Sequence, residues 1–167
     1  MSTTDTKTQL DATLVNAIVS ATKDIFLTMA NFEVGVKEVK PQLDYSPTGD
    51  ISALIGIVGE RGEGMLSLSF PIDLASEVVS SLLGTSKEKI TASDRTDGVG
   101  ELVNMISGNA KTILSRESGS SYTLSLPNII LGAKHSISAY PKNAPFLVIV
   151  FETQSMEFQM QVTFKFK

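Results

Sequence analysis

Apolar residues return every three or four positions along two long stretches of the chain and at every second position along several shorter ones. In the first long stretch Leu10, Leu14, Ile18, Ile25 and Met29, flanked by Val15, Ala21 and Phe26, line one side of a helix expected over residues 10–32. In the second, Val99, Val103, Ile106, Ala110 and Ile113, widened by Leu102 and Leu114, predict a long helix that buries one face. Asp97, Glu101, Asn104, Gly108, Lys111 and Ser115 follow the same spacing on the opposite face, so Glu101 and Asn104 stand one turn apart and point outwards. Thr91 or Ser93 is placed to cap this helix, and Asp94 and Asp97 in its opening turns suit the helix dipole. A shorter helix is expected from Pro71 to Leu83, with Leu74, Val78, Val79, Leu82 and Leu83 on its apolar side and Gly84 closing it.

The remaining segments alternate. Val34 to Tyr45 reads as a strand that Pro41 confines to an edge or a bulge, followed by a turn at 46–50. Ile51 to Val58 and Met65 to Phe70 form a hairpin around the glycine-rich stretch 59–64. That stretch is not a phosphate cradle, because no Gly-Lys-Ser/Thr follows it and the next residues alternate like a strand. Tyr122 to Leu126 and Ile129 to Ala139 are extended and broken at Pro127. Phe146 to Glu152 and Met156 to Phe166 form a closing hairpin about 153–155, with Lys165 and Lys167 expected to guard the last strand as an edge. Together these elements predict an α/β domain of the α+β type, long helices on a mainly antiparallel sheet. A frayed polar tail over 1–9 and a single domain over 10–167 are expected.

The two long helices echo each other. Thr13-Leu14-Val15-Asn16-Ala17-Ile18 aligns with Glu101-Leu102-Val103-Asn104-Met105-Ile106, and each is followed by an extended segment and a hairpin. The order suggests a degenerate two-fold repeat, with the helix at 71–83 closing only the first half. Asn16 is read as a relic facing solvent.

Composition narrows the chemistry. A net charge of −4 and scattered lysines argue against nucleic acid as a partner. The absence of cysteine removes disulfides, thiol nucleophiles and thiolate metal sites, and makes the cytoplasm the default location. The longest apolar run, Phe146 to Phe151, is too short to cross a bilayer as a helix. His135 stands alone, so neither a metal cluster nor a triad with Ser136 is expected, and its ring is read as satisfied within a strand or loop. Three glycines in one helix each cost about 1 kcal/mol relative to alanine. Gly108 falls on the exposed face one turn after Asn104, where a side chain would obstruct a close partner; Gly98 and Gly100 are read as a loosened first turn.

Asp97, then Glu101 four residues on, Asn104 three further and Pro127 twenty-three beyond, resembles the motif of the CheC/CheX/FliY family of bacterial chemotaxis phosphatases. The first helix departs from it, with Thr13 in place of the acid and Val39 in place of the proline. The resemblance implies a pseudo-two-fold CheC-like domain, a homodimer, and as substrate the aspartyl phosphate of a CheY-type response regulator. The Mg²⁺ needed would sit in that regulator, and this chain would bind no cofactor of its own. The uncharged carboxamide of Asn104 suits orientation of the attacking water, because it both donates and accepts hydrogen bonds without repelling a phosphoryl group. Glu101 suits docking of the regulator's lysine. Asp97, Gly108 and Lys111 are expected to contact the partner, although Asp97 is equally explained by the helix dipole, and Pro127 holds Leu126 extended. The competing reading is a non-catalytic adaptor that uses the same helix to bind a receiver domain or a flagellar-switch or signalling protein. A dimer whose terminal strands pair between subunits is compatible with both.

Overall fold

The computed structural model describes residues 3–42, 49–133, 135–137 and 146–167. The strand expected through Tyr45, the turn at 46–48 and the extended stretch at 138–139 lie outside these residues. Helix α1 (Thr3–Ala30) starts ahead of Leu10 and stops at Asn31, whose φ of 56° is left-handed. Helix α2 (Ile72–Leu83) follows Pro71 and is closed by Gly84 at φ 64°, a conformation that costs glycine nothing. A single 3-10 turn, Lys87–Lys89, interrupts the connector. Helix α3 (Ala92–Ser118) is capped by Thr91, not Ser93: Thr91 Oγ1 accepts the Asp94 N–H at 3.1 Å and the Asp94 carboxylate accepts the Thr91 N–H at 2.9 Å. Gly119 ends α3 at φ 68°.

Seven strands form one sheet: β1 (Gly35–Gln42), β2 (Ile51–Gly59), β3 (Gly62–Phe70), β4 (Tyr122–Leu124), β5 (Asn128–Leu131), β6 (Phe146–Glu152) and β7 (Glu157–Phe166). Their order is β1-β6-β7-β3-β2, with β4 and β5 both pairing the outer side of β2, and every pairing is antiparallel. Pro41 sits on edge strand β1, which is also bulged between Val36 and Glu38, as a residue without an N–H requires. Two expectations are corrected. The β2–β3 turn is only Glu60-Arg61, because the glycines on either side are taken into the ladder, Gly59 opposite Gly62 and Gly56 opposite Met65. The last strand is an edge only at its end: β7 pairs β6 from Glu157 to Val162 and β3 from Gln159 to Phe166, so Glu157–Val162 is closed to strand exchange, while Lys165 stands where β7 has β3 alone beside it among the described residues.

The strand order carries the two-fold relation that the helices suggest. Exchanging β1 with β4/β5, β2 with β6 and β3 with β7 returns the same order reversed, with the axis at the β3–β7 pair. Ser81 Oγ on α2 bonds the Ala30 carbonyl at the end of α1, Val79 of α2 abuts Gly98 near the start of α3, and Asn109 bonds Asp24 farther along both helices. The long helices therefore run antiparallel, with α2 wedged where α1 ends and α3 begins. Ile51, Ala53, Ile55 and Ile57 of β2 and Leu66, Leu68 and Phe70 of β3 point towards the helices and join the main core. Phe158 stacks between Phe26 at 4.8 Å and Phe151 at 5.1 Å.

The opposite face holds a smaller cluster in which Ile137 packs on Val148 and Val150. His135, just before Ile137, lies on the same face. His135 Nδ1 donates to the Gly132 carbonyl at 2.6 Å, so Nε2 accepts from Ser52 Oγ at 2.7 Å, and Ser52 in turn meets Ser69 Oγ at 2.6 Å. The ring is satisfied, as its isolation in the sequence implies.

Candidate functional site

The apolar stripe of α3 sets the direction of everything on its other side. Val99, Leu102, Val103 and Ile106 are completely buried, which turns Asp97, Glu101 and Asn104 outwards, and all three are exposed. Among the described residues none of these three side chains has a hydrogen-bond or ion-pair partner, so each keeps its full capacity for an external one. Further along, Gly108 and Lys111 are half-buried, so the ridge sinks towards α1. Lys111 lines an apolar cleft with Leu14, Ile18, Ala110 and Leu114, its methylenes covering apolar surface while its charge reaches outwards. The cleft floor holds the buried Ser107 hydroxyl, which has no hydrogen-bond partner among the described residues, in an open volume of about 20 Å³. That is room for about one water and not for an organic ligand.

The glycines of α3 do not share one cause. A Cβ at Gly98 would lie 2.5 Å from Val79 Cγ2, and one at Gly100 would lie 3.4 Å from Ile129 Cδ1. At Gly98 another element presses against the helix, while the distance at Gly100 is an ordinary van der Waals contact; both glycines lie past the first turn of α3, which corrects the expectation of a loosened first turn. The sequence hid this because Val79 and Ile129 reach α3 only through the fold. Around Gly108 no heavy atom lies within 4 Å of an added Cβ.

Pro127 is half-buried between β4 and β5, with Leu126 85% exposed beside it, so it separates the two short strands that share β2. The neighbour of His135 that sequence reasoning missed is Ser52, eighty-three positions away along the chain. Ser52 is fully buried and the other imidazole nitrogen faces a backbone carbonyl, so the pair lacks both access and the acid of a triad. Among the described residues no group of three or more His, Cys, Asp or Glu is arranged to hold a metal, and no helix is long and apolar enough to cross a membrane.

This fold is that of the CheC-like proteins. A CheC-like superfamily protein from a Shewanella species superposes with a TM-score of 0.79 at 30% identity, over 92% of this chain and 97% of that one. The chain belongs to the CheX family: the model described as chemotaxis phosphatase CheX matches residues 51–152. A chemotaxis protein CheX from Desulfovibrio desulfuricans is 32% identical, with a TM-score of 0.81 over 91% of this chain and 99% of that one. The CheX of a CheX-CheY-BeF3-Mg²⁺ complex from Borrelia burgdorferi shares the fold at 22% identity, with a TM-score of 0.68 over 92% and 97% of the two chains. No curated protein matches the sequence at a significant level.

Proposed function

We propose that this chain accelerates hydrolysis of the aspartyl phosphate of a CheY-type response regulator, with Asn104 orienting the attacking water and Glu101 docking the regulator's active-site lysine. The observation that carries the reading is the pair itself: Glu101 and Asn104, one turn apart on the exposed face of α3, without side-chain partners among the described residues, on a chain of the CheX family. The Borrelia complex supports the choice of partner, since there a CheX is held with CheY, BeF3 and Mg²⁺.

An acyl phosphate is already activated, and the regulator brings the magnesium that neutralises its charge. What is left to supply is a water in line with the phosphorus. The Asn104 carboxamide accepts one hydrogen bond and donates others, which fixes a water without adding negative charge beside the phosphoryl oxygens. A carboxylate in that place would be repelled, so Glu101 reaches past it to a cation. Asp97, one turn towards the N-terminus, and Lys111, beyond Gly108, form the two ends of the contact.

The test is phosphate release from a phosphorylated CheY-type regulator of the same organism, with Mg²⁺. Wild type is expected to accelerate it, and Asn104→Ala to lose the acceleration by about 10²-fold while still binding. Glu101→Ala is expected to raise KM by about tenfold, the loss of one charge-assisted pair worth ~1.4 kcal/mol. Binding by the wild type with no change in the decay rate would replace this reading with that of an adaptor.

A further inference from the structure

Gly108 has no packing reason among the described residues. At Gly98 a Cβ would clash with Val79 and at Gly100 it would make an ordinary contact with Ile129 at 3.4 Å, whereas among the described residues position 108 has open space where a side chain would go. Helical φ and ψ are available to any residue, so the backbone does not ask for glycine there either. Glycine in a helix interior is a destabilising choice that the packing of this chain does not explain.

The repeat supplies an independent comparison. The spacing that sets Asn16 against Asn104 also sets Ser20 against Gly108, Lys23 against Lys111 and Thr13 against Glu101. It matches the buried positions as well, Leu14 with Leu102 and Ile18 with Ile106, and both helices extend to the equivalent ends, Ala30 and Ser118. Ser20 is exposed, so this scaffold carries a side chain at the equivalent place without difficulty. The Asn and Lys are present on both helices. Only the helix that carries the acid carries the glycine.

We infer that Gly108 is a positioning residue for the partner: its bare helix surface receives main chain of the phosphorylated regulator, and so lets Asn104 come within reach of the phosphoryl group. This rests on the function proposed above and adds to it the point of closest approach. Gly108 lies about one helical pitch, ~5.4 Å, from Asn104. A carboxamide is short, so a water held between it and phosphorus requires the helix itself to press against the regulator. A Cβ at 108 would hold the two surfaces apart next to the reacting centre, where ~1 Å of displacement costs about 10²-fold in rate.

The test compares wild type, Gly108→Ala, Gly108→Leu and Ser20→Leu in phosphate release from the phosphorylated regulator, each with its melting temperature. Gly108→Ala is expected to raise Tm by about 2–4 °C and to lower kcat/KM by roughly tenfold; Gly108→Leu should lower it by about 10²-fold, with a fall in kcat. Ser20→Leu, which adds the same exposed side chain to α1, should leave both constants as in wild type. A gain in thermal stability with a loss of activity is the signature, since a merely structural glycine would lose both. Full activity of Gly108→Leu in a working wild-type background overturns the inference and leaves the phosphatase standing. So does an equal loss in Ser20→Leu. A wild type that neither binds nor dephosphorylates the regulator overturns the proposed function, and this inference with it.

Discussion

A methyl group added at position 98 would meet Val79 on three sides, with Cγ2 at 2.5 Å, Cγ1 at 2.9 Å and Cβ at 3.2 Å. Valine is stiff at χ1, so relief must come from moving α2 rather than turning a side chain. Gly98→Ala is therefore expected to destabilise the chain by about 1–3 kcal/mol, read as a lower urea midpoint at unchanged slope. The gain in helix propensity, about 1 kcal/mol, is too small to reverse the sign. The same substitution ten residues later should stabilise. The exposed place of Gly108 was legible from the helical period, whereas the crowding at Gly98 was not, because the atoms that cause it are contributed by α2. Glu101 and Asn104 were legible as Gly108 was: their exposure follows from the local period of Val99, Leu102, Val103 and Ile106, and needs no knowledge of the rest of the fold. Ser52 beside His135 was not legible, since a strand partner's identity depends on register and on a crossing segment.

Among elements, α3 begins with its N-terminus reciprocally bonded, and this has a pH dependence. The hydrogen bonds from the Thr91 backbone and side chain hold the Asp94 carboxyl below its ordinary value of 3.8. A depressed carboxyl contributes stability above the unfolded-state value and loses it as pH falls through the folded-state one, so the cap should be intact at neutral pH and release in the acid range below about 4. Following the Thr91 amide resonance against pH checks this, and Asp94→Asn should flatten the titration. Thr91→Ala is expected to cost about 1 kcal/mol at neutral pH. The cap was readable as one of two candidates, Thr91 or Ser93; geometry chose the one with an acid three residues later. Hairpin length was misread because glycines usually mark loops, and here Gly59, Gly62 and Gly64 are ladder residues. At Gly62 and Gly64 an added Cβ would lie 2.2 Å and 2.1 Å from backbone oxygens of β7, so these glycines let the central strands lie close.

At the scale of the molecule, the two halves are joined through the β3–β7 pair and through aromatic rings from both sides of it. Phe158 of the second half touches Phe26 and Phe70 of the first, at 4.8 Å and 5.0 Å, as well as Phe151 of its own. Phe158→Ala is expected to cost about 3–5 kcal/mol, and helix and aromatic circular dichroism should still report a single shared transition, because residues of both halves pack into one core. The duplication was legible from six residues of each helix, and the strand order extends it to the sheet. The sequence pattern also showed α2 closing only one half; what it does not disclose is where that helix packs. It braces the end where α3 begins and α1 finishes. A partner pressing on Asn104 therefore pushes against a helix that is shored up from behind by Val79 and its neighbours, while the same load at Asn16 would fall far from any such prop among the described residues. A chain built twice over has in this way acquired one firm anvil, and the acid and the glycine are found on that helix alone.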